Sequence, residues 1–409
     1  QVMRPDYRAR VERFNGALNA FMDVTSDPLG GGLTWAAKSN IAVAGLPLTA
    51  GCAAYRDRIA ADDADVIKRI RASGGTVLGT VNMHEGALGA TTDNEAYGRT
   101  RNPWSLDHTP GGSSGGSGSA VAAGLCDVAL GTDTMGSVRI PAAYCGVQGH
   151  KPSSGLVPDD GVVPLSTTLD HVGPLARDVE TLWQAMHVLA DWGEAQTLEP
   201  ANLSGLKVGV WDGGGEVALT PAVEAGFDAA LTRLRDAGAQ LGTFAPPVYD
   251  YSRSRRAGLH VSEVEGALEH GVTDTGKRPD GLSDTFYSLL HWGVKQDAAK
   301  TNAAYAHIAD VRRAAADIWN DVDFVIAPTA PQEAFTFETG APANQADFTA
   351  WADFARLPAT ALFTGLSAEG LPLSLQVIGP EGHDRETLWV AAALEALFGR
   401  PPMPPGFEW

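Results

Sequence analysis

Residues 110–151 read PGGSSGGSGSAVAAGLCDVALGTDTMGSVRIPAAYCGVQGHK, and no other part of this 409-residue chain restricts its fold and chemistry as strongly. Two glycine-bracketed serine clusters, residues 111–117 and 131–137, flank the apolar run AVAAGLCDVAL. Glycine admits backbone conformations closed to other residues and lets a chain approach a ligand closely. Serine becomes a nucleophile where a base stands beside it. A flexible tether would not alternate with a segment that must be buried, so the stretch reads as a site.

The surrounding pattern predicts an α/β class. Residues 5–22 carry Val11, Phe14, Leu18 and Phe21 on one helical face. LTWAAKSNIAVAG (33–45) reads as a strand broken at Lys38-Ser39-Asn40. A helix over 62–73 has acids in its first turn and bases later, as the helix dipole favours, and Gly74-Gly75 ends it before the buried strand TVLGTVN. Further on, 204–212 reads as a strand and 220–238 as a helix with Pro221 at its start. AQLGTFA is a strand, 283–320 is largely helical, 322–331 and 371–380 are strands, and 384–398 is a helix. Such alternation is the mark of α/β proteins. Residues 332–356 read as a long loop or cap, and no Pro/Ser-rich linker divides the chain.

Composition narrows the function. A hydrophobic content of 44% supports a sizeable core. The formal net charge of −19 sets up a field repulsive to nucleic acid, with no Lys/Arg cluster to offset it. Cys52, Cys126 and Cys145 are too dispersed for a disulfide framework or a cysteine metal site, so buried free thiols are expected. No apolar run spans a membrane. The N-terminus reads as a charged amphipathic helix rather than a signal peptide, and the expected compartment is the cytoplasm.

Several motif readings compete for the serine-rich segment. A P-loop needs a lysine that 111–117 lacks. A Rossmann fingerprint and the G-x-S-x-G nucleophile elbow both need a preceding strand, and RNPWSLDHTP is not one. His150 and His171 read as structural. What remains is a serine activated by a lysine. That lysine must be poorly solvated to be neutral, and Lys38 lies inside an apolar stretch, between WAA and the IAV that follows Ser39-Asn40.

GGSSGGS (111–117) and GTDTMGSVRIP (131–141) resemble the Gly/Ser hallmark of the amidase signature family. The resemblance extends to LTWAAKSNIAVAGLPLTAG, VNMHEGALGATTDNEAYGRTRNPW, LDHVGPLAR, DFVIAPTAP and GLPLSLQVIGP, and to the spacing of Ser137, 99 residues after Lys38 and 24 after Ser113. It implies one catalytic domain over 1–409, a mixed twisted sheet covered by helices on both faces, with a core near 30–180 and a variable substrate rim near 200–360. It also implies roles: Ser137 as nucleophile, Ser113 as bridging serine on a cis peptide after Gly112, and Lys38 as base. The N–H groups of Thr134, Met135, Gly136 and Ser137 would form the oxyanion hole. Ser114 and Ser117 would support the loop, and Asp133 with Arg139 would brace it.

Two departures stand out: Ser39 where the family usually has Asp, and Met135 where glycine is common. Met135 is expected to narrow the acyl pocket, and Phe286, Tyr287, Trp292 and Trp351 are weighed as pocket or core residues. The implied activity is hydrolysis of a linear carboxamide to carboxylate and ammonia or amine through an acyl-enzyme, with no cofactor and no metal. The alternatives are the glutaminase component of a tRNA-dependent amidotransferase and a catalytically silent binding member. The expected partner is a small-molecule amide, with no nucleic acid and no membrane, and a homodimer left open.

Overall fold

The computed structural model describes residues 6–409. An 11-stranded sheet runs through it, in the order Phe21–Val24, Thr76–Val81, Thr34–Lys38, Val128–Asp133, His171–Ala176, Gln148–Lys151, Ala359–Leu366, Pro372–Ile378, Phe324–Pro328, Lys207–Val210 and Gln240–Thr243. The sheet is mixed. Thr34–Lys38 is parallel to both its neighbours, and Lys207–Val210 is parallel to both of its own. Antiparallel pairs join the strands between.

Side chains alternate between the faces of a strand, and both faces here are apolar. Trp35, Ala37, Val128 and Leu130 enter one buried cluster, Ala36 and Ala129 another. The first cluster is closed by helices Asp65–Ala72, Val179–Leu189, Pro221–Asp236 and Asp384–Phe398. The second is closed by Tyr7–Leu18, Gly115–Ala122 and Arg139–Cys145. Towards the far end, Val325, Ala327 and Ile378 meet a third cluster under helices Tyr251–Glu269 and Ala298–Ala315. The expected α/β architecture, with helices on both faces of a mixed sheet, is therefore what the chain adopts.

Helix boundaries follow local chemistry. Thr220 accepts the Val223 N–H at the start of Pro221–Asp236, and Asp178, Asp250 and Asp297 cap their helices in the same way. Each such cap contributes roughly 1 kcal/mol. Two expectations are corrected. The N-terminal helix stops at Leu18, where Asn19 turns left-handed, and Phe21 belongs to an edge strand paired with Thr76–Val81; Pro5 lies outside the described residues. Residues 332–356 are only partly a loop, because Phe348, Trp351 and Phe354 are buried and Ala350–Phe354 is helical. All three cysteines are free and buried. Among the described residues no helix is long and apolar enough to cross a membrane.

Candidate active site

Lys38 ends a strand whose every residue is buried, so its ammonium is delivered into the protein interior. There it donates to Ser113 Oγ at 2.6 Å and Thr132 Oγ1 at 2.7 Å. Burial lowers the Lys38 pKa to about 7, against the pull of Asp170 and Asp133. A lysine so placed carries a lone pair near neutral pH.

Ser113 lies in the loop before helix Gly115–Ala122, and the Gly112–Ser113 peptide is cis. Close packing explains the glycines at two places. A Cβ on Gly116 would stand 2.2 Å from the Asn82 carbonyl oxygen. Gly136 has φ +134°, and a Cβ there would stand 2.3 Å from Thr349 Oγ1. Ser114 and Ser117 hold the loop to the strand beneath it, donating to the carbonyls of Thr132 and Leu130.

Ser137 follows strand Val128–Asp133. It is half-buried, lines a cavity of about 140 Å³, and its hydroxyl has no hydrogen-bond partner among the described residues. Its loop is tied from behind. Asp133 accepts the N–H of Gly136 at 2.6 Å and of Val138 at 3.1 Å, and meets Arg139 through Nε at 3.0 Å. Arg139 reaches on to Asp353 at 2.7 Å and Gln376 at 2.9 Å, all with no exposed surface on the charged side chains. Burial opposes the Asp133 charge, but the guanidinium outweighs it and holds the carboxyl below its ordinary range. The Asp133–Arg139 pair is thus interior bracing. Gly136 N–H is engaged with Asp133, whereas the N–H groups of Thr134, Met135 and Ser137 have no partner among the described residues.

Met135 lines the cavity and packs outward against helix Tyr251–Glu269, where a Cβ on Gly258 would stand 2.6 Å from its sulfur. The rest of the wall is largely apolar, with Leu88, Ile140, Leu165 and Leu259. Among the described residues Arg255 is the one charged side chain on it. Asp347, itself buried, grips Arg255 at 2.9 and 2.6 Å, and the Nη1 of Arg255 has no partner among the described residues. Phe286, Tyr287, Trp292 and Trp351 do not line this cavity; Phe286 and Trp351 are core, and Trp292 is exposed.

Asp170, Thr132, Arg255 and Asp347 did not stand out in the sequence. Asp170 accepts the Thr134 hydroxyl at 2.6 Å and the N–H groups of Leu165 and Ser166, and desolvation pushes its carboxyl up to about 6. It supplies a carboxylate near Lys38 where Ser39 does not. Its signal was the LDHVGPLAR block, whose strand pairs with Val128–Asp133. His150 bonds Thr360 and Asp384, and His171 stands 3.4 Å from Asp353, both away from the cavity. Among the described residues no cluster of three or more His, Cys, Asp or Glu side chains could hold a metal.

Residues 17–388 match the family described as Amidase. The A-type component of glutamyl-tRNA(Gln) amidotransferase from Chlamydia felis is 34% identical over 91% of this chain and 84% of its own. Its counterpart of the same name from Halobacterium salinarum is 34% identical over 93% of this chain and 100% of its own. Among solved structures, the same component from Thermotoga maritima superposes with a TM-score of 0.85 at 28% identity, covering 97% of this chain and 93% of that one. A protein from a vestigial complex linked to the origins of an s-triazine catabolic enzyme gives 0.86 at 29%, covering 97% and 95%. These relatives correct the expected partners, a small-molecule amide with no nucleic acid, no membrane and a homodimer left open. They are named as components of a tRNA-linked amidotransferase, and a structural neighbour comes from a protein complex. With the match running over most of its length, this chain belongs to the amidase signature family.

Proposed function

We propose that this chain cleaves a primary carboxamide that also bears a carboxylate, releasing ammonia, and that it does so as the amide-cleaving component of an assembly. The side-chain amide of glutamine is the first such substrate, as in the glutaminase alternative, which the relatives' names as amidotransferase components support. The observation that carries the chemistry is the 2.6 Å contact from Lys38 Nζ to Ser113 Oγ beside a cavity lined by Ser137. Arg255 supports the carboxylate, since a guanidinium with spare N–H groups is suited to planar anions.

In this reading the Ser137 oxygen attacks the amide carbon. Its proton passes to Ser113 Oγ, whose own proton passes to neutral Lys38. The N–H groups of Thr134, Met135 and Ser137 receive the developing oxyanion, where each donor is worth about 3 kcal/mol. Collapse breaks the C–N bond as Ser113 protonates the nitrogen and recovers a proton from Lys38. Ammonia leaves an ester on Ser137. Water then attacks that ester, giving its proton to the same relay, and the carboxylate departs with Ser137 restored. Residues 30–180 supply the machinery and 200–360 the outer wall, acting as one catalytic unit.

A second reading, hydrolysis of a neutral apolar amide, draws on the Leu88, Leu165 and Leu259 wall, where no described carboxylate stands to meet an α-ammonium. Ammonia release from glutamine, glutaramate and pentanamide separates the readings. The proposal expects glutaramate and glutamine to exceed pentanamide, Ser137→Ala to abolish all three, and a fluorophosphonate to label Ser137. Preference for pentanamide would favour the second reading, and an unlabelled, inactive Ser137 would remove both.

A further inference from the structure

One side of the cavity that holds Ser137 is formed by Pro342, Ala343, Gln345 and Ala346, and Gln345 is a buried member of that wall. A chain of hydrogen bonds orients its amide. Gln332 Nε2 donates to the Tyr144 hydroxyl at 3.1 Å, and that hydroxyl donates to Gln345 Oε1 at 3.1 Å. A phenol has one proton to give, and with the Gln332 amide donating to its oxygen that proton goes to Gln345. Oε1 is thereby engaged, and Nε2 keeps two N–H groups with no partner among the described residues. Nε2 is not among the unpartnered polar atoms sealed from solvent, so these donors meet the cavity.

The same short segment fixes Arg255. Two residues on, Asp347 grips the guanidinium, and the Asp347 carbonyl accepts the Tyr249 hydroxyl at 2.9 Å. The wall hydroxyls of Thr134 and Ser262 are directed at Asp170 and the Gly258 carbonyl. Apart from Ser137, the unengaged side-chain donors on the cavity among the described residues are therefore Gln345 Nε2 and Arg255 Nη1. Two donors, one neutral and one cationic, suit a planar group with two acceptor oxygens. An ammonium offers them no acceptor at all, and an alkyl chain leaves both unpaired.

We propose that Gln345 is a specificity-determining residue, its Nε2 taking one oxygen of the substrate carboxylate while Arg255 Nη1 takes the other. This rests on the reading of the substrate as a carboxylate-bearing amide and adds to it a second, uncharged contact. Tyr144 is a positioning residue, acting through the amide it orients.

The ratio of kcat/KM for ammonia release from glutaramate to that from pentanamide tests this in the full chain. Gln345→Glu keeps an oxygen for the Tyr144 hydroxyl but sets a carboxylate against that of the substrate, and the ratio is expected to fall at least about tenfold. Gln345→Met removes the donors alone and lowers it about threefold. Tyr144→Phe frees the amide to turn, lowering the ratio a few-fold in the parent and not further in Gln345→Met. A purely structural role would depress both amides alike and leave the ratio as it was. Should Gln345→Glu fail to fold, Gln345→Met decides alone. An unchanged ratio at position 345 overturns the role of Gln345 while the carboxylate reading stands on Arg255. A parent that prefers pentanamide overturns that reading itself.

Discussion

The floor and the outer wall of the cavity are built in opposite ways. The floor is the layer behind the cavity lining, where Lys38, Ser113, Thr132, Asp133 and Arg139 are wholly or almost wholly buried, and Gly116 and Gly136 beside them leave no room for a methyl group. The wall on helix Tyr251–Glu269 is looser. Arg255 keeps 29% of its side-chain surface in contact with solvent and Leu259 is half-buried. A floor packed this closely admits one arrangement of Lys38, Ser113 and the Asp133–Arg139 loop, whereas a wall with spare donors tolerates exchange. In the proposed function, chemistry is therefore concentrated in the first region and selectivity in the second.

That contrast can be broken at either end. The largest effect is expected on the floor: Lys38→Ala should reduce turnover by roughly a thousandfold or more while circular dichroism stays unchanged. Gly136→Ala places a methyl group 2.3 Å from Thr349 Oγ1 at positive φ, and about a hundredfold loss of kcat is expected with a lowered Tm. If Gly136→Ala were silent, the floor would be no more constrained than the wall.

The pH profile probes the same region. In the proposed relay, protonating Lys38 removes the base, so kcat/KM should fall about tenfold per unit below a pKa near 7 and level off above it. A profile flat through neutrality would mean that Lys38 is not the titrating group. On the wall the effects are smaller and selective. Arg255→Met should cost about tenfold or more in kcat/KM for glutaramate and leave pentanamide within about threefold. Equal losses on both amides would make Arg255 a structural residue. Met135→Gly should shift the ranking of amides by a few-fold, through an acyl pocket no longer lined by its thioether; an unchanged ranking would show Met135 to be packing alone.

The two regions also differ in how legible they were. Serine clusters and an apolar-flanked lysine are local features; they raised a serine activated by Lys38, the family resemblance singled out Ser113 and Ser137, and the fold joins Lys38 to Ser113 beside a cavity that Ser137 lines. Helix Tyr251–Glu269 gave little sign of itself because it buries Ser254, Ala257, Gly258 and Ser262, small residues that leave a faint hydrophobic period. Of the aromatics weighed as pocket or core residues, Phe286 and Trp351 are core, since large rings fill cores: Trp351 packs against Trp211 and Phe244. Asp170 was hidden for a different reason. Only the pairing of Asp133 with His171 across two strands brings its carboxylate to Thr134.

By itself the sequence determined the α/β class and the family, because glycine-serine motifs are written in consecutive residues, and the family resemblance then implied the three residues of the proposed relay. Tertiary structure decided what those residues can do. It set the state of Lys38, through burial that no window of sequence reports. It committed the Gly136 N–H to Asp133, and placed Arg255 on the cavity wall with Asp347 behind it. Each of these depends on the desolvation and direction of groups distant in the chain, which only packing brings together.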